Sequence, residues 1–159
     1  IRRRNVKCYA GGLDVRDQRS VQAFHDQAKA HLGAFDILVN AAGVSAQEAI
    51  IGHTDETWTA VIDINLSGCF RAIRCCFPSM LEQGWGRIVN VASTAAEVGS
   101  TLHSAYCASK SGLLGLTRCV ALTTIWARFA CSTTSGVDQE VFSSRTTFHF
   151  CRPVALSNR

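Results

Sequence analysis

Two side chains that together could move a proton stand four residues apart: Tyr106 and Lys110, within the stretch 104–121 (SAYCASKSGLLGLTRCVA). On a helix that spacing puts both on one face. A phenol that must give or take a proton near neutral pH starts about three units too high, so roughly 4 kcal/mol of preference for phenolate is needed. One ammonium about 4 Å away, at an effective dielectric near 20, supplies about that much. Lys110 is therefore a plausible activator of Tyr106. Alone, such a pair more often means one packed ring and one solvated amine, so its surroundings must decide.

Those surroundings read as elements that position the pair. Residues 87–92 (RIVNVA) form a short buried strand ending at Ser93, which delivers a hydroxyl at a strand's carboxyl end, where open α/β sheets bind ligands. Residues 36–40 (DILVN) form a second strand that runs into Ala41, Ala42 and Gly43. Between them Thr54 is a fair N-cap for a helix through about Phe77, with Trp58, Val61, Ile62, Leu66, Phe70, Ile73 and Phe77 on its apolar face. Asn65 interrupts that face, and a buried amide costs about 1–3 kcal/mol unless it finds partners. Pro78 is expected to end or bend this helix. Earlier, Val21, Phe24, Ala28 and Leu32 mark an amphipathic helix over about 19–32, closed by Gly33. Residues 6–10 alternate weakly and read as a strand. The alternation of helix and strand predicts parallel pairing with right-handed crossovers. Residues 94–103 read as a loop over the site, with Glu97 and His103 as polar candidates near the pocket that more readily face solvent than read a ligand.

Taken together these residues resemble the short-chain dehydrogenase/reductase family. The family's Asn-Asn-Ala-Gly stretch is present as Asn40-Ala41-Ala42-Gly43, its helix asparagine as Asn65 in INLSG, its serine as Ser93, and its Tyr-x-x-x-Lys as Tyr106 and Lys110. The resemblance covers 6–122. It implies a Rossmann-like α/β fold, a doubly wound parallel sheet with helices on both faces, here truncated at the N-terminus. It implies NAD or NADP as cofactor, and a secondary alcohol or ketone as substrate, a 3-oxoacyl or 3-hydroxy acid among the choices. By resemblance Tyr106 exchanges the proton with the substrate oxygen, Ser93 donates a hydrogen bond to that oxygen, Lys110 also holds the nicotinamide ribose, and Asn65 kinks its helix and holds a relay water. Implied cofactor contacts are Asp14, Val15, Asn40, Ala41, Ala42, Gly43, Tyr106 and Lys110. For Asp14 or Asp17, capping the next helix is an equal use. The resemblance also implies a homo-oligomer.

Both ends depart from the family. Its first strand and Gly-rich turn should precede Val6, and Gly11-Gly12 does not replace them. In the order 3-2-1-4-5-6 the absent strands lie between the third and fourth, so a strand at 6–10 is expected to lack a neighbour and cofactor binding to be very weak or the fold unreached. The expected division is a partial family domain over 1–122 and a non-family tail over 123–159, frame-shifted or disordered. Residues 135–140 (SGVDQE) can be encoded TCC GGG GTG GAT CAG GAG; dropping the first base gives Pro-Gly-Trp-Ile-Arg, resembling the family's turn near its expected place. The rival reading is an inactive fragment that serves at most as an interaction module.

Length and composition fit one ordinary core, with 159 residues and 47% of them hydrophobic. The net charge of +4 is mild, and no basic and aromatic interleaving follows Arg2–Arg4, so nucleic acid is not an expected partner. Eight cysteines without a Cys-x-x-Cys pair suggest reduced thiols, no metal site and a cytoplasmic setting. No apolar run approaches about 18 residues, so no membrane association is expected.

Overall fold

The computed structural model describes residues 7–123 and 128–136. Asp17 opens α1 (Gln18–Leu32) by accepting the Arg19 N–H at 2.9 Å, and Gly33 closes it through its N–H to the Lys29 carbonyl. Strand β1 (Ile37–Asn40) follows. Thr54 caps α2 (Asp55–Ile62) by accepting the Thr57 N–H. The helix then widens into one π turn, Asp63–Ser67, where the Gly68 N–H reaches the Asp63 carbonyl five residues back, and resumes as α3 (Gly68–Gln83).

Pro78 lies inside α3 and does not end it. A proline there removes one helical hydrogen bond, while the last turn is held by Met80, 0% exposed, pressed against Gly86. A Cβ at Gly86 would stand 2.7 Å from the Met80 Cγ and Sδ, so the tight approach of helix and strand requires glycine. Gly84, with φ +64°, closes α3 in the left-handed region and leads directly into β2 (Trp85–Ser93). The loop expected at 94–103 contains the short helix α4 (Ala95–Val98), and α5 (Ser104–Thr123) follows.

The three strands pair in parallel in the order β1-β2-β3, β3 being Arg128–Gly136. Helices α3 and α5 cover one face, where Ile73, Cys76, Met80, Ile88 and Ala121 form the core with Phe35, Leu38 and Leu116 against it. The alternate residues of β1, Ile37 and Val39, point the other way and are each 58% exposed. Among the described residues the helices therefore cover this face, and the opposite side of β1 is open.

Two expectations need correction. The described part of the 6–10 segment is not a strand: with no strand beside it to take its backbone bonds, Tyr9 packs on Phe24 and His31 of α1 instead. Within the span expected as a tail, β3 pairs with β2 from Trp85↔Arg128 to Ser93↔Gly136. Residues 137–159, the rest of the expected tail, lie outside the described residues. The apolar face expected on the long helix is buried only in part: Val61 and Ile73 are in the core, while Trp58 and Phe70 are 39% and 46% exposed. Among the described residues no helix is long and apolar enough to cross a membrane.

Candidate active site

Strands β1 and β2 end side by side, and a cleft of about 580 Å³ opens at their carboxyl ends. Ser93 is the last residue of β2; its Oγ accepts the Ala95 N–H at 3.2 Å, which starts α4 and leaves the hydroxyl proton to be donated. Tyr106 lies in the first turn of α5, half-buried, with its ring against the cleft. Lys110, one turn on, is 5% exposed and lies with its Nζ 5.7 Å from the centre of the Tyr106 ring. That ammonium donates to the Val91 carbonyl at 2.7 Å, and burial pushes it below the usual lysine value. Two of its three protons remain for a ligand.

Asn65 sits in the π turn, fully buried. Its Oδ1 accepts the Val44 N–H at 2.8 Å, and its Nδ2 donates to the Val44 carbonyl at 2.9 Å and to Ser109 Oγ at 3.0 Å. Ser109 in turn donates to the Tyr106 carbonyl at 2.7 Å. The amide thus ties the loop after β1 to the first turn of α5, a satisfied structural task. Gly43 lies over this junction: a Cβ there would sit 3.4 Å from Asn65 Oδ1 and 3.6 Å from Lys110 Nζ, filling the space beside the ammonium.

Asn40 is used internally. Its Nδ2 donates to Asn90 Oδ1 at 2.8 Å, Asn90 donates to Thr117 Oγ1 at 2.9 Å, and Thr117 donates to the Leu113 carbonyl at 2.7 Å. This buried ladder joins β1, β2 and α5 and was missed from sequence; the one signal was a polar Asn90 in the middle of the apolar run RIVNVA. Val15, Asn40, Ala41 and Ala42 line a second, apolar cleft of about 370 Å³ between α1, α3 and β1. Ala41 belongs to both clefts. Asp14 lines neither: it is exposed, and Arg16, through a side-chain pair at 2.8 Å and a backbone N–H, holds its carboxyl down at about 2. The structure therefore brings Ala41, Gly43, Ser93, Tyr106 and Lys110 together, places Asn65 just behind them, and sets Asp14 apart. His103, expected to face solvent, is half-buried and lines the same cleft.

A nicotinamide ribose fits the donors present: a buried ammonium with free protons, a glycine that leaves room beside it, and a position at the carboxyl ends of parallel strands. The hydroxyl, phenol and ammonium can polarise one oxygen and exchange a proton with it.

A family profile described as short chain dehydrogenase matches residues 1–132. The chain is 41% identical over 113 residues to a D-beta-hydroxybutyrate dehydrogenase of Cupriavidus necator, a match covering 71% of this chain and 44% of that protein. It is 44% identical over 108 residues to a D-threitol dehydrogenase of Mycolicibacterium smegmatis, covering 68% and 42%. It is 34% identical over 121 residues to a 3-oxoacyl-[acyl-carrier-protein] reductase of Staphylococcus aureus, covering 76% and 49%. The matches span less than half the length of these relatives. With its profile matched over most of its length, the chain belongs to the short-chain dehydrogenase family, a family of oxidoreductases with a Rossmann-like α/β fold.

Proposed function

We propose that this chain carries the catalytic half of an NAD(P)-dependent oxidoreductase that interconverts a secondary alcohol and a ketone. The observation that carries the proposal is the convergence of Ser93, Tyr106 and Lys110 on one cleft at the carboxyl ends of β1 and β2. The names of the relatives, a hydroxybutyrate and a threitol dehydrogenase and a 3-oxoacyl reductase, favour a short hydroxy or oxo compound. The cofactor, when bound, gives or accepts the hydride. In the reducing direction Tyr106 gives its phenolic proton to the substrate oxygen, while Ser93 donates a hydrogen bond to the same atom and orients the carbonyl. The Lys110 charge favours the phenolate left behind and its free protons hold the ribose. Asn65 acts behind the site by fixing the Gly43–Val44 loop, with the relay water as its second task.

Gly43, Ala41 and Ala42 would flank the cofactor closely because they are small; Asn40 would set their position through the buried ladder. Val15 and Asp14 are assigned to the adenine end. A homo-oligomer built through α2, α3 and α5 belongs to the same proposal, supported by the exposed Trp58 and Phe70. So do a cytoplasmic setting, supported by the free cysteines of the described residues, and a frame change in the tail, tested by the nucleotide sequence.

The test is titration of the chain with NADH and NADPH, followed by nicotinamide fluorescence and by turnover of a carbonyl panel, beside Tyr106→Phe. Very weak binding by both proteins, as the sequence leads one to expect, with any turnover lowered at least about a hundredfold in Tyr106→Phe, is the expected result. Equal turnover by the two would remove Tyr106 from the chemistry. Absence of both binding and turnover would favour the rival reading of a non-enzymatic interaction module.

A further inference from the structure

We propose that His103 binds a carboxylate of the substrate, making the preferred substrate class short oxo and hydroxy acids; this rests on the oxidoreductase reading of the cleft. The ring is oriented by its own loop. Its Nδ1 lies 2.7 Å from the Thr101 carbonyl, which can only accept, so Nδ1 carries a proton, and Ser100 Oγ lies 3.2 Å from the same nitrogen. The other ring nitrogen, Nε2, is left for a ligand. The ring meets Tyr106 edge-on with centroids 6.4 Å apart, and both residues line the one cleft.

The backbone that places this ring is strained. Leu102, with φ +64°, is the non-glycine residue in the left-handed region among the described residues, a conformation that persists where surrounding contacts enforce it. Here the Glu48 N–H donates to the Leu102 carbonyl at 2.9 Å, and Glu48 bridges to His103. The Glu48 carboxylate is turned away, onto Thr54, Thr57 and His53. No acidic side chain of the described residues lines the cleft, whereas Lys110 and His103 both do. A substrate carboxylate in that cleft would meet a ring nitrogen and an ammonium and no opposing acid of the described residues.

The test follows the histidine ring nitrogens of the isotope-labelled full chain by NMR, assigning His103 with His103→Gln. Acetoacetate and its uncharged analogue 2,4-pentanedione are the probes. Acetoacetate is expected to shift the His103 signal saturably and to bind at least about tenfold more tightly than pentanedione, a preference that His103→Gln removes. No His103 shift with acetoacetate, or equal binding of the two probes, overturns the assignment without any need for the variant to fold. Turnover with NADH or NADPH is read on the same samples. A selective His103 shift without turnover would sink the redox reading and keep the carboxylate site; turnover of both probes without selectivity would do the reverse.

Discussion

Lys110 is the costliest residue in the site to bury, and its cost depends on pH. Burial lowers its folded-state value below the ordinary 10.5, so between that lowered value and 10.5 the unfolded chain binds more protons than the folded one. Stability must therefore rise with pH through that window. Lys110→Met is expected to flatten the rise, with a higher urea midpoint than the parent at neutral pH; an unchanged slope would show that the ammonium is solvated. Asn65→Ala has the opposite sign. It strands the Val44 N–H and carbonyl and removes the donor to Ser109 Oγ, which keeps its own bond to the Tyr106 carbonyl, and a loss of about 3 kcal/mol in urea unfolding is expected. Tyr106, Lys110, Ser93 and Gly43 were legible because their chemistry is local to short motifs. The work done by Asn40 was not, because its partner is fifty positions away and no spacing rule connects them.

At the scale of elements, the caps were legible and the deviations were not. Asp17, Gly33 and Thr54 announce their helix ends by side-chain type, and β2 announces itself by its apolar run. The π turn and the passage of α3 through Pro78 depend on contacts made elsewhere: Val44 and Ser109 on Asn65, and Gly86 beneath Met80. Strand β3 is rich in Ser and Thr, and only its pairing with β2 identifies it. Gly86→Ala places a methyl 2.7 Å from Met80, so a loss of about 1–3 kcal/mol is expected. The loss should be smaller in a Met80→Ala background, where the clash is gone; additivity of the two would show that the strand had shifted instead.

For the molecule as a whole, β1 is an edge strand of the sheet among the described residues. On its uncovered face Ile37 and Val39 stand over half exposed beside an apolar cleft, and an edge strand with apolar side chains is a template for unwanted pairing. Val39→Lys is expected to suppress concentration-dependent aggregation, measured by light scattering, while leaving the Tyr106 cleft intact; undiminished scattering would move the liability to another surface. The Asn40–Asn90–Thr117 ladder guards against a related error. A slip of one residue between β1 and β2 would turn the Asn40 side chain to the opposite face and leave Asn90 facing an aliphatic neighbour. Because Thr117 comes from α5, the ladder is complete only when that helix has docked. Misaligned strand pairs thus forfeit the closing bond, so the ladder ties the register of the sheet to the docking of the helix that carries Tyr106 and Lys110.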